Sequence, residues 1–224
     1  MTHSSHSGKF IVFEGIDGAG KTTQSSFLIR HLRRAKKKAV FIHFPQYQTK
    51  SGGLAENYLQ GKYGKIGPYQ ASVFYAADRF DGGFNIRQWL RDGYIVVADR
   101  YWASNIGHQG GKIRGKKERE KFFRWLYNFE YELFNIPKPN ISFLLNMPPR
   151  IAQQLSIKHT KERGGKPDIH EKSIVHLQNA DRAYQHAFAF FKNGFRAIHS
   201  MAGKTLRTPR DIHQEIWDKI QKLL

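Results

Sequence analysis

Phe10-Ile11-Val12-Phe13-Glu14-Gly15-Ile16-Asp17-Gly18-Ala19-Gly20-Lys21-Thr22-Thr23 is an apolar run that breaks into a glycine-rich turn and leads into a helical repeat. The run has strand length. Behind it Phe27, Leu28, His31, Leu32 and Ala35 recur at helical spacing, with Arg30, Arg33 and Arg34 on the other side. Between strand and helix, Gly15 to Thr22 fits G-x-x-x-x-G-K-[ST] in the strand-turn-helix context the motif requires. The chemistry explains the residue types. Glycines let backbone N–H groups converge on a phosphate, and the helix N-terminus adds partial positive charge. Lys21 spans the β and γ phosphates and Thr22 offers its hydroxyl to Mg²⁺. Gly15, Ile16, Asp17, Gly18, Ala19, Gly20, Lys21, Thr22 and Thr23 are therefore the expected binding set for a nucleoside triphosphate, with Mg²⁺ as its companion.

Working outward, Ala39 to Phe44 closes a βαβ unit, and Tyr94 to Ala98, Ile141 to Asn146 and Arg196 to His199 are three further apolar runs. Helices are expected across Pro68 to Arg91, Lys116 to Phe134, Glu171 to Phe191 and Pro209 to Leu224, the last capped by Thr208 with Pro209 at its first position. Strands alternating with helices predict an α/β fold in three layers, a five-stranded parallel sheet with helices on both faces. No composition break divides the chain, so residues 1–224 read as one domain with a flexible N-terminus over 1–8. Lys158 to Pro167 combines Lys158, Lys161, Arg163 and Lys166 with the pair Gly164-Gly165 and has no periodicity. A basic loop over about 156–168 is the expectation, either a lid or a surface connection.

The chain has 224 residues, with 37 Lys and Arg against 18 Asp and Glu, a formal charge of +19. Its 40% hydrophobic residues suffice for a sizeable core. No apolar run reaches membrane-helix length, and Met1 to Gly8 lacks the pattern of a secretory signal. With no cysteine, a disulfide scaffold, a Cys-ligated zinc site and a thiol nucleophile are excluded, and a cytoplasmic location is the expectation. The eleven histidines show no H-E-x-x-H. His108, His159, His170 and His176 lack partners at ligand spacing and read as surface or packing residues, with His108 alone beside a candidate binding segment. Positive charge attracts polyanions, and its densest runs, around Lys37 and Lys117, fall at helix ends where cations are commonplace.

What such a loop does depends on what stands across from it. The chain lacks an N-K-x-D tetrapeptide for reading guanine. The third strand ends in Asp99, placed like a Walker B acid, but Arg100-Tyr101 follow where a hydrolase needs a second carboxylate to activate water. That favours transfer to a bound acceptor. Four patterns in order then carry a resemblance: the loop with Asp17 inside it, Phe44-Pro45-Gln46-Tyr47, Tyr75-Ala76-Ala77-Asp78-Arg79, and Asp99-Arg100-Tyr101 followed by Ser104-Asn105. The chain resembles the thymidylate kinases, nucleoside monophosphate kinases that move the γ-phosphoryl of ATP to dTMP.

The resemblance spans about residues 9–192 and implies a P-loop kinase fold with a basic lid. It implies that Asp17 accepts the deoxyribose 3′-OH, that Arg100 and Tyr47 hold the acceptor phosphate, and that Thr22, Asp99 and Glu171 serve the metal. It further places Phe44, Pro45, Tyr75, Arg79, Ser104, Asn105 and Gln109 about the base, with Tyr75 standing where Phe is usual. Gly18 occupies the loop position that carries a cation in some members, so the resemblance assigns the transferring phosphoryl to a lid cation, Arg163, beside Lys21 and Arg100. Ile169 stands where an arginine is frequent, which puts more of that load on Arg163. A homodimer is implied as well. Without the resemblance, Tyr75 and Phe44 fit core aromatics, Arg79 a partner of a helix acid, Asn105 a helix cap and Glu171 a helix N-terminal acid. The runner-up activities are a kinase of deoxynucleosides or of another pyrimidine monophosphate. A nucleic-acid-binding P-loop protein is the reading from a different class, and charge alone gives nucleic acid only non-specific attraction.

Overall fold

Runs as apolar as Phe10 to Phe13 and Ile95 to Ala98 require cover on both faces, and both are almost wholly buried. In the computed structural model, which describes residues 8–162, 173–192 and 194–224, β1 (Lys9–Glu14), β2 (Ala39–His43), β3 (Ile95–Asp99), β4 (Ile141–Asn146) and β5 (Arg196–His199) form one parallel sheet. The strand order is β2-β3-β1-β4-β5. Phe13 and His43 both pair with Asp99, so the carboxyl ends of β1, β2 and β3 finish level at one edge. In an open parallel sheet that edge is where ligands bind.

The helices are α1 (Lys21–Arg34), α2 (Lys50–Leu59), α3 (Pro68–Arg91), α4 (Ala103–His108), α5 (Lys116–Tyr127), α6 (Pro149–Glu162), α7 (Ile174–Phe190) and α8 (Pro209–Gln221). A short antiparallel pair, β6 (Met201–Ala202) with β7 (Thr205–Leu206), precedes α8. Thr208 caps α8 by accepting from the Asp211 N–H at 3.2 Å, as its place before Pro209 predicts.

Local differences from the sequence reading have physical causes. Strand β3 starts one residue late because the Tyr94 N–H closes the end of α3 on the Trp89 carbonyl at 2.9 Å. The helix expected to run unbroken from Lys116 to Phe134 widens after Tyr127 into a π-helical turn, Asn128–Leu133, which buries Glu130 and Tyr131 and leaves Leu133 exposed. Residues 156–162, expected in a basic loop, instead belong to α6. Ala152 and Ser156 bury one face of that helix, and Lys158 and His159 both face Glu162, at 3.9 and 3.3 Å. Arg163, Lys166 and Glu171 lie outside the described residues. Helix α7 is described from Ile174, with Ser173 as its N-cap, where the sequence reading began at Glu171. The sequence reading lacks helices α2, α4 and α6, since α2 contains Gly52-Gly53, α4 is six residues long and α6 opens on the second residue of the Pro148-Pro149 pair.

Candidate active site

The turn after β1 folds as its glycines demand, with Gly15, Gly18 and Gly20 at positive φ. At Gly18, φ is +80° and a Cβ would lie 1.9 Å from the Ala152 carbonyl oxygen of α6, so this position carries no side chain without moving α6. Lys21 is 5% exposed and its Nζ donates to the Ile16 carbonyl at 2.7 Å. Burial, joined by the nearby Arg100 charge, pulls the Lys21 pKa down to about 8 against the attraction of Asp17 and Asp99. A cation held this dry is poised to gain from an incoming phosphate.

Next to it, the Thr22 hydroxyl donates to Asp99 Oδ2 at 2.6 Å. Burial of Asp99 favours its neutral form, but His43, Lys21 and Arg100 outweigh it and hold the carboxyl at about 2, so it is ionised at neutral pH. Its other oxygen, Oδ1, is buried without a partner among the described residues. An ionised carboxylate with an orphaned oxygen beside a hydroxyl suits Mg²⁺, which is held by one or two protein oxygens plus phosphates and water.

Around this turn opens a cleft of about 1450 Å³, lined by Asp17 to Gln24, His43, Asp99 and Arg100. Its outer wall comes from Leu155, Ser156, His159 and Thr160 of α6 and from Leu206, Arg207, Pro209 and Ile212 at the start of α8. The sequence offers no motif for that wall. Arg207 is fixed there by the His199 carbonyl at 2.8 Å and Glu215 at 2.7 Å.

A second cavity, of about 560 Å³, lies on the other side of Arg100. Asp17, Phe44, Pro45, Tyr47, Tyr75, Arg79, Arg100, Ser104, Asn105 and Gln109 all line it, so every expected acceptor-side residue is brought to one place, joined by Leu59 and His108. Asp17 and Arg100 line both spaces and pair with each other. Arg100 holds φ of +71°, rare for a residue with a side chain, at the sharp exit from β3, and its N–H donates to the Phe13 carbonyl at 2.9 Å.

Buried acids that no motif announces hold the acceptor side together. Arg79 does pair with an acid, as its plain reading allowed, yet the acid is Glu130 from the π-helical turn, with Nε and Nη2 at 2.5 and 2.7 Å from its oxygens. Asn105 is no helix cap: its Nδ2 donates to the Ser72 carbonyl and toward Glu130. Asp78 accepts from Gln46 N at 2.8 Å and so ties down the Phe44-Pro45-Gln46 turn. Glu14 is buried at the root of the site, accepting from Tyr101 N, the Ser104 hydroxyl at 2.7 Å and the Tyr184 hydroxyl. Burial pushes its carboxyl up, and the Ser104 hydroxyl, the Arg100 and Arg79 charges and the Tyr101 N–H oppose the shift. Burial likewise raises the Tyr75 hydroxyl, keeping it protonated in the cavity.

Residues 13–216 match the family model described as thymidylate kinase. The thymidylate kinase of Plasmodium falciparum is 32% identical over 156 residues, 70% of each chain. That of Caldicellulosiruptor saccharolyticus is 29% identical over 222 residues, covering 97% of this chain and 96% of its own. The solved thymidylate kinase of Candida albicans superposes with a TM-score of 0.73 over 96% of this chain and 92% of its own, at 21% identity, a likeness of fold. With the phosphate-binding turn, the Asp99-Arg100-Tyr101 corner and the two adjoining cavities in that frame, the chain belongs to the thymidylate kinase family.

Proposed function

We infer that the protein is a phosphotransferase that moves the γ-phosphoryl of ATP to dTMP. The observation that carries the reading is the pair of cavities that meet at Asp17 and Arg100, one lined by the phosphate-binding turn and one by the acceptor-side residues. A donor and an acceptor bound in those spaces face each other at one guanidinium, and bringing reactants together in that way accounts for much of phosphoryl-transfer catalysis. Lys21 leaves the Ile16 carbonyl for the donor's β and γ phosphates. Asp17 passes from Arg100 to the sugar hydroxyl, which frees the Arg100 Nη2 for the acceptor phosphate. Tyr75 stacks on the base with Phe44 and Pro45 beside it, Tyr47 joins Arg100 at the acceptor phosphate, and Ser104, Asn105 and Gln109 line the base pocket whose Arg79 is oriented by Glu130. Thr22 and Asp99, with Glu171, would hold Mg²⁺, which would supply positive charge to offset that of the phosphates. Because Gly18 is blocked by α6, a cation on the transferring phosphoryl has to come from elsewhere, and Arg163 is our assignment. The reading places the enzyme in the cytoplasm and, among the described residues, no helix is long and apolar enough to cross a membrane.

ADP formation measured in parallel with dTMP, dUMP, dCMP, dGMP and thymidine, with Lys21→Ala as the blank, tests this. Fast turnover with dTMP, slower with dUMP and none in the variant is the expected pattern. Turnover with thymidine alone would replace the reading by a nucleoside kinase, and none with any acceptor would reject it. The net charge of +19 gives nucleic acid only a salt-sensitive, non-specific attraction.

We also propose a homodimer packed through α3. Val73, Ala77, Phe80 and Phe84 recur on one face of that helix, and Val73, Phe80 and Phe84 are 39%, 40% and 56% exposed. Arg87 borders the stripe, its guanidinium carbon 4.7 Å from the Phe84 ring centroid, and a second copy would meet the stripe with the same apolar face.

A further inference from the structure

Arg100 is held from two sides. Its Nη2 pairs with Asp17, while Nη1 stands 3.1 Å from Nε2 of His108 on the last turn of α4. On its far side, His108 Nδ1 lies 3.2 Å from Nε2 of His176 on the first turn of α7, with ring centroids 5.4 Å apart and planes 20° from parallel, so the rings meet edge to edge. The direction of the chain follows from chemistry. A guanidinium only donates, so His108 Nε2 has to be the acceptor and its proton sits on Nδ1. That proton in turn has to be donated to His176 Nε2. His108 is thus a neutral ring locked in one tautomer between an arginine and a second histidine.

The spacing is built into the backbone. Helix α4 approaches α7 at Gly107, where a Cβ would fall 2.2 Å from the Tyr184 ring. The α7 end is pinned by Ser173, which accepts from the His176 N–H at 3.2 Å. Tyr184 meets the His108 ring edge to face at 6.4 Å and reaches Glu14 with its hydroxyl. Around the pair therefore stand Arg100 and Asp17 on one side, His176 and Tyr184 from α7, and Glu14 beneath.

We propose that His108, oriented by His176, is a positioning residue for Arg100. Its acceptor nitrogen keeps the guanidinium aimed at the meeting point of the two cavities when Asp17 turns to the sugar. Asp17 can then release Arg100 without the side chain losing its orientation, since one Nη remains held. Nothing in the reaction requires a proton from His108, and its role is geometric. The proposal rests on Arg100 binding the acceptor phosphate.

Steady-state kinetics of His108→Phe, His108→Gln, His176→Phe and Arg100→Lys, with thermal melts as a control for folding, test it. Phe keeps the ring and loses the acceptor, whereas Gln restores an acceptor oxygen near the place of Nε2. His108→Phe should raise the KM for dTMP roughly tenfold with the KM for ATP within about twofold of wild type, and His108→Gln should stay within about threefold for both. His176→Phe, which leaves His108 in place, should raise the dTMP KM about threefold, and it carries the test if His108→Phe fails to fold. Equal KM values for His108→Phe and wild type overturn the proposal. So do equal losses in Phe and Gln, or a parallel rise in both KM values. If Arg100→Lys leaves the dTMP KM unchanged, the placement of Arg100 on the acceptor phosphate falls and the proposal with it. If Arg100→Lys raises it and His108→Phe does not, the proposal alone falls.

Discussion

Arg79 and Glu130, both almost fully buried and bonded through two oxygens, show how single residues are fixed in this site. Such a pair gains little over an apolar filling, but losing one partner leaves a charge stranded in a dry interior. Glu130→Gln should therefore destabilise the fold by about 3 kcal/mol in urea unfolding and raise the KM for dTMP, because Arg79 loses its orientation. A variant as stable as wild type would mean that water reaches the pair. Glu130 was illegible in the sequence because it sits 51 residues from Arg79 in an ordinary run of helix formers. Only the widening of that helix into a π turn aims it inward.

At the scale of elements, the phosphate-binding turn and α6 are one unit. The Gly18 φ of +80° and the 1.9 Å approach of a would-be Cβ to Ala152 forbid a side chain there. Gly18→Arg should weaken ATP binding at least about tenfold by calorimetry, since the turn has to distort before its N–H groups can converge. An unchanged ATP affinity with faster turnover would show that α6 yields and that a loop cation can replace the lid's. Helices α1 and α8 meet through His31, His213 and Trp217. His31 Nδ1 lies 3.1 Å from His213 Nε2, and the His31 ring stacks on Trp217 at 3.6 Å. Burial, with His31 and Arg30 nearby, lowers the His213 pKa from 6.5, and its Nδ1 has no partner among the described residues. The unfolded chain therefore takes up a proton at a higher pH than the folded one. Stability from this residue is complete above the unfolded value and declines as pH falls from there toward the lowered one. Melting temperature should drop between pH 7.5 and 5.5 by at least about 2 °C more in wild type than in His213→Phe, and identical drops would rule the residue out.

For the molecule as a whole, the parallel sheet sorts chemistry by pole. The carboxyl ends of the strands carry the turn, Asp99, Arg100 and both cavities. The opposite edge gathers cations, among them Arg196, Lys219 and Lys222 around a surface cavity and the run Lys36 to Lys38 before β2. The apolar stripe of α3 lies apart from both. Phe84→Asp should convert the proposed dimer to a monomer in light scattering at micromolar concentration, while a wild type already monomeric there would remove the dimer from the reading.

The phosphate-binding turn, the strands, the long helix Pro68–Arg91 and the cap of α8 were legible because each is local. Their signals are a spacing, a glycine, an apolar period or a capping residue within a few positions. The ten acceptor-side residues were legible only through resemblance, since nothing local joins Phe44 to Gln109. What tertiary structure alone decided is the contacts between polar groups distant in sequence: Glu14 under Ser104 and Tyr184, Glu130 on Arg79, and His176 behind His108. The same holds for the wall that Arg207 and Pro209 add to the nucleotide cleft. A buried polar group needs a partner of the right kind, but any donor or acceptor in the chain meets that need. Composition and period leave the choice open, and only the packing of α4, α7 and the π turn onto the sheet selects it.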